Sequence, residues 1–371
     1  MTPARKILLN PGPCTTSDRV KRALLVPDLC PREKEFGVLL AGVRAKLVRV
    51  VHGEATHTAV VLAGSGTAAM EAALGSVVGP ADGVLIIDNG AYGRRAGQIA
   101  AALGLPHRML SLAWGEFPAP EKVEAALAET PAVTHCFFVH HETTTGMLNP
   151  LGPIVAACAR RGIVTIVDAM SSLGGVPLDL RATPADFVIS SSNKCLQGFP
   201  GLSFVLARRE ALPRIAALPR RSVYLHLHDN WRAQEETQQC HFTPPVQVLY
   251  ALDAALEEFF AEGAAARFTR YAACYATLLA GMKALGFTCL VPERWHSKLL
   301  TTFLEPEHPA WSFDAMHDYL YACGITVYPG KLSAARTFRI ANLGDLQPAD
   351  LELFLTHLRE FLVARGIFPA R

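Results

Sequence analysis

IVTIVDAMSSLGG (163–175) and DFVISSSNKCLQGFPG (186–201) decide how this chain is read. In each, an apolar, β-branched run stops abruptly and gives way to small polar residues and glycine. A short apolar run ended in this way predicts a strand buried inside a parallel sheet. Further candidates lie on either side: TAVVLA (58–63), VLIID (84–88), THCFFVH (134–140) and LSFVLA (202–207). Between them, TAAMEAALGSVVG, GRRAGQIAAALGL and LGPIVAACARRG show helical spacing with glycine stops. Alternating strands and helices predict an α/β fold: a mostly parallel sheet with helices on both faces. The short loop between DFVISS and LSFVLA suggests that one strand there runs antiparallel.

Beyond about residue 245 the pattern changes. Two long amphipathic helices, VLYALDAALEEFFAEG and FTRYAACYATLLAGMKALG, precede the short strand candidates FTCLV, LLTTFL, ITVYP and TFRIAN. This predicts a large domain over 15–245 and a smaller α+β domain over 246–371, completed by the N-terminal segment 1–14.

With 371 residues, half of them hydrophobic, the chain is long enough for one large core and a smaller second one. Net charge is only +2, from 35 basic and 33 acidic residues, without a basic run, so neither nucleic acid nor a membrane surface is expected as a partner. The start lacks the apolar core of a signal peptide, and no apolar stretch reaches membrane-spanning length. A cytoplasmic protein is the expectation. Nine cysteines scattered singly, with no CxxC, read as reduced thiols. His135, His140, His141 and Glu142 cluster in THCFFVHHE, but adjacent residues of a strand face opposite sides, so His140 and His141 do not easily chelate together and no metal is expected there.

Asp168 and Lys194 each stand at, or just past, the carboxyl end of a predicted strand, where ligands of open α/β sheets bind. A lysine can condense with the aldehyde of pyridoxal phosphate, and a carboxylate can hold the pyridine nitrogen protonated. An exposed lysine and a helix-capping aspartate is the plainer reading of the pair taken alone; the surrounding motifs favour the cofactor. LAGSGTAAMEAALG (62–75) opens a helix after a strand, so Gly66 and Thr67 are candidates to hold a phosphate, although Gly/Ser turns before helices are common. Tyr92, between Gly90 and Gly93, either lies flat on a cofactor ring or packs in a turn. Thr144 or Thr145 either donates to the phenolic oxygen of that ring or caps a turn. Arg339 in FRIAN offers a planar fork for carboxylate or phosphonate oxygens, or a surface ion pair.

In order along the chain, LLNPGPCTT, LAGSGTAAMEAALG, NGAYG, HETTTGMLNP, VDAMSSLGG, SSSNKCLQGFPG, HFTPP and YPGK…FRIAN resemble the 2-aminoethylphosphonate–pyruvate transaminases nearly end to end. That family belongs to the class V group of fold-type I pyridoxal-phosphate enzymes. The resemblance implies a pyridoxal 5′-phosphate cofactor, with Lys194 as the Schiff-base lysine and Asp168 as the pyridinium partner. It implies that Tyr92 stacks on the ring and that Gly66, Thr67 and Asn193 or Ser192 surround the phosphate. It also implies a homodimer with shared active sites, Thr243 reaching across from a neighbouring subunit, and Arg339 on the substrate's anionic end. The reaction implied takes an aminophosphonate and pyruvate as small-molecule substrates and gives phosphonoacetaldehyde and L-alanine.

Three features depart from the family's pattern. CPREKEF (30–36), expected near the active-site mouth, replaces a segment rich in tryptophan and aspartate; His141 stands where a serine is usual, and Asn10 where threonine is common. The alternatives are therefore a related donor such as 1-hydroxy-2-aminoethylphosphonate, or an alanine– or serine–glyoxylate aminotransferase. A cysteine desulfurase-like lyase would need a catalytic thiol on a mobile loop, and Cys323 sits in a core-like context. A pyridoxal-fold regulatory protein would need an added DNA-binding segment, for which the chain has no room.

Overall fold

The computed structural model describes residues 5–130, 132–330 and 335–368. Seven strands form the central sheet: His57–Ala63, Gly83–Asp88, His107–Ser111, Val133–Val139, Val164–Asp168, Phe187–Ser191 and Leu202–Arg208. By first residue, their order across the sheet is 57, 202, 187, 164, 133, 83, 107. Leu202–Arg208 pairs antiparallel with both of its neighbours, while the remaining pairs are parallel. The edge strand His107–Ser111 was not visible as an apolar run: its histidine and arginine are exposed, as befits a sheet edge.

Side chains alternate across the pleat, so each face of the sheet has its own core. On one face Val61, Phe138, Val167 and Val188 meet the helices Lys34–Val50, Leu151–Ala159 and Val246–Glu262. On the other, Val60, Phe137, Ile166 and Ile189 meet Gly66–Val77 and Ala91–Ala102.

A third core gathers Cys274, Phe303, Phe338 and Phe354 around the sheet of Leu300–Leu304, Thr337–Ala341 and Tyr328–Pro329. Ile7–Leu8 pairs in parallel with Ile325–Thr326 and joins this core through Leu9. Two expected strands come out differently. FTCLV is held only by one bridge, Cys289 to Phe303, and ITVYP splits into two short strands belonging to different sheets.

Candidate active site

The parallel strands end on the same side of the sheet, and a cavity of about 540 Å³ lies there. Its walls come from the first residues past five of these strand ends: Gly64–Thr67, Tyr92 with Arg95, Val139 with His141, Asp168 with Met170 and Ser171, and Ser191 with Asn193 and Lys194. Pro200 and Gly201, ahead of the antiparallel strand, complete it. Of the residues expected from the sequence, Gly66, Thr67, Tyr92, Asp168, Asn193 and Lys194 line this single cavity.

Lys194 Nζ donates to the carbonyl of Pro11 at 2.5 Å. That carbonyl belongs to the NPGP turn, which Asn10 pins by donating from Nδ2 to Pro13 O at 2.9 Å. Gly12 must be glycine: its φ is +128°, and a Cβ there would stand 2.5 Å from Lys194 Nζ. Burial lowers the Lys194 pKa, because an ammonium loses its hydration there. The neutral amine, the nucleophilic form, is thereby favoured.

Asp168, last residue of its strand, accepts from Met170 N at 2.8 Å through Oδ1. Its Oδ2 is buried without a hydrogen-bond partner among the described residues. Burial pushes its pKa up to about 7, and the positive charges of Lys194 and Arg95 only partly oppose this. A protonated ring nitrogen would satisfy that oxygen and restore the carboxylate's charge. Gly66 opens the Gly66–Val77 helix, whose N-terminal amides suit a phosphate. A Cβ at Gly66 would meet Met170 Cε and Sδ at 2.4 Å. The cavity, the orphan Oδ2 and this helix start therefore fit pyridoxal phosphate.

The three threonines of ETTTG are fully buried but play unlike parts. Thr144 Oγ1 donates to Glu142 Oε1 at 2.7 Å and accepts from Ala91 N at 3.1 Å. Thr145 Oγ1 contacts only Glu142 O, at 3.4 Å. Thr143 Oγ1 has no hydrogen-bond partner among the described residues, and like Thr144 and Thr145 it is not on the cavity wall. Glu142, missed in the sequence reading except as a metal candidate, also accepts from Tyr92 N at 3.3 Å. Burial raises its pKa. This carboxylate holds the start of the Ala91–Ala102 helix against the threonine turn, and so positions Tyr92.

Arg339 is 2% exposed; Nε donates to Pro329 O at 3.0 Å and Nη1 to Thr143 O at 3.4 Å. It lies beside the cavity rather than on its wall, as do Thr144, Thr145 and Ser192. The Ser192 hydroxyl is taken by the carbonyls of Phe199 and Leu202. Between Ser192 and Asn193, it is Asn193 that faces the cavity. Thr243 is exposed and outside it. No residue of 30–36 lines the cavity either; Arg32 instead donates to Gln239 Oε1 and Cys240 O at 3.0 and 2.9 Å, on the chain leading to Thr243.

Two titratable residues of the cavity wall were not anticipated as ligands. His141 donates from Nδ1 to Ser171 O at 3.0 Å, and burial lowers its pKa to about 4, so the ring is neutral at pH 7. Arg95 stands three residues after Tyr92 on one helix face, with Nη1 3.4 Å from Thr67 Oγ1. That spacing was the available signal.

Residues 28–345 match the family model described as "Aminotransferase class-V". The chain is 44% identical over 355 residues to a 2-aminoethylphosphonate–pyruvate transaminase of Aeromonas hydrophila, covering 94% of this chain and 93% of that one. It is 41% identical to one of Salmonella paratyphi B, covering 97% and 98%. Among solved structures, ureidoglycine–glyoxylate aminotransferase of Bacillus subtilis superposes with a TM-score of 0.91 at 26% identity, covering 99% of this chain and 95% of that one. Alanine–glyoxylate aminotransferase of Nostoc sp. gives 0.91 at 27%, covering 98% and 96%. With strand ends, cavity and family model in agreement, the chain belongs to the class-V aminotransferases.

Proposed function

We propose that the chain transfers the amino group of 2-aminoethylphosphonate to pyruvate, giving phosphonoacetaldehyde and L-alanine, with pyridoxal phosphate in the cavity. The observation that carries this reading is that Lys194 and the orphan Asp168 Oδ2 meet in one cavity, with the buried Arg339 beside it. The names of the curated relatives support the choice of substrates.

When bound, the cofactor supplies an electrophilic aldehyde and a ring that accepts electrons. Asp168 Oδ2 would hold the proton of its ring nitrogen. Tyr92 would flank the ring, a hydroxyl of the Thr143–Thr145 turn would donate to its phenolic oxygen, and Gly66, Thr67 and Asn193 would face its phosphate. Lys194 Nζ, kept neutral by loss of its hydration shell, takes the proton from the substrate carbon and returns it on the next step. Arg339 binds a tetrahedral phosphonate in one half-reaction and a planar carboxylate in the other. Its bonds to Pro329 O and Thr143 O fix the guanidinium plane for both tasks.

The active form is a homodimer in which Thr243 serves the neighbouring site. Two observations support this: Thr243 is exposed outside its own chain's cavity, and apolar Val223 (75% exposed) and Tyr224 (42%) lie nearby, Tyr224 packing on Phe242. No helix among the described residues is long and apolar enough to cross a membrane. A cytoplasmic location fits the chemistry.

Alanine formation from pyruvate is the test, with 2-aminoethylphosphonate as sole amino donor beside serine, glutamate and 1-hydroxy-2-aminoethylphosphonate. Turnover with 2-aminoethylphosphonate well above the others is expected. A yellow protein that ignores it and accepts an α-amino carboxylate would move the function to a glyoxylate-type aminotransferase.

A further inference from the structure

His226, His228 and Asp229 converge where the Leu227–Glu236 helix begins, away from the residues that line the cavity. One ligand atom from each lies within 4.8 Å of the other two. Asp229 stands between the rings: Oδ2 is 3.0 Å from His226 Nδ1, and Oδ1 is 3.6 Å from His228 Nδ1. His226 is 2% exposed; its Nδ1 faces Asp229 Oδ2, and its Nε2 has no hydrogen-bond partner among the described residues. A buried imidazole that faces a carboxylate through one nitrogen and leaves the other unmatched asks for a ligand. His228 and the Asp229 carboxylate are nearly covered as well, with side chains 14% and 11% exposed.

We propose that these three side chains bind one divalent transition ion of the zinc type. Two imidazole nitrogens and a carboxylate suit Zn²⁺, Co²⁺ or Ni²⁺, whereas Ca²⁺ and Mg²⁺ prefer all-oxygen sites. Donors about 2.0–2.1 Å from a tetrahedral ion stand roughly 3.3 Å apart, so small rotations of the two rings complete the set. Water takes the remaining positions. Arg220, 65% exposed, reaches Asp229 Oδ1 at 3.1 Å and competes with the ion; being solvent-exposed, it can yield that oxygen to the ion or keep only the outer lone pair. Two hydrogen bonds tie down the surrounding chain: Leu227 N donates to Ser76 Oγ at 2.9 Å and Asn230 Nδ2 to Tyr224 O at 2.9 Å. The ion would therefore fasten the start of this helix to the preceding loop.

The test uses untagged holoenzyme, stripped of metal by chelator and titrated calorimetrically with Zn²⁺, with Mg²⁺ as control. Wild type is expected to take up one Zn²⁺ per chain at micromolar or lower concentration, and Mg²⁺ not at all. His228→Ala and Asp229→Asn, which spare the most buried ring, should each weaken binding roughly tenfold or more. Zn²⁺ should raise the melting temperature of wild type and of neither variant. Co²⁺ loading of wild type should give visible d–d bands that Zn²⁺ abolishes, a readout independent of any variant. No saturable uptake by wild type, or equal uptake in both variants, overturns the proposal. Neither result bears on transamination, which rests on other residues.

Discussion

At the scale of the residue, Asp168 couples the site to pH. Its carboxyl titrates near 7 in the protein without cofactor, above the ordinary value of about 3.9, because burial disfavours the charge. A raised folded-state pKa contributes stability that is full below about pH 4 and is lost as pH rises through about 7. Thermal melts of the cofactor-free protein should therefore show the melting temperature falling from pH 4 to 8. Asp168→Asn should flatten that fall; an unchanged profile would mean that Asp168 is not the group responsible. Lys194→Ala should lower kcat by about 10²–10⁴-fold or more while leaving far-UV circular dichroism unchanged. Arg339→Lys keeps the charge and loses the fork. It should raise KM for both substrates about 10- to 150-fold, the equivalent of about 1.5–3 kcal/mol, and change kcat less.

Helices and strands set how closely these residues can approach. Gly93 packs the Ala91–Ala102 helix onto its strand so tightly that a Cβ would stand 2.5 Å from Ile87 O and 2.8 Å from Asp88 Cα. Backbone cannot yield cheaply, so Gly93→Ala should cost about 1–3 kcal/mol in urea unfolding and shift Tyr92. Gly42 offers the contrast, since no other part of the described residues lies within 4 Å of its Cβ position in the middle of the Lys34–Val50 helix. Gly42→Ala should stabilise by about 0.5–1 kcal/mol in the same assay. The runs that announced these strands were legible because parallel strands are apolar on both faces. His107–Ser111 was not, because an edge strand needs no such run.

On the scale of the whole molecule, the cavity exists because the parallel strands end together and the single antiparallel strand returns the chain behind them. The third core then brings Arg339, some 196 residues away in sequence, against Thr143 O. Thr243 belongs to this scale too. Thr243→Ala should weaken cofactor binding by about 1 kcal/mol, roughly fivefold, in fluorescence titration, with the mass in solution unchanged. Unchanged affinity would leave Thr243 without a role at the phosphate.

Local sequence determined the strand ends and hence Asp168, Lys194, Gly66 and Tyr92, because a residue just past a buried strand has its place set by the strand itself. Tertiary structure alone decided which hydroxyl of ETTTG stays free, since that depends on Glu142 turning back onto the Ala91–Ala102 helix. It alone revealed Arg95 and His141 on the cavity wall and set His226, His228 and Asp229 around one point. Periodicity reports which face of an element is buried; which polar atoms meet there depends on rotamers and on packing between distant segments, and no local pattern encodes those.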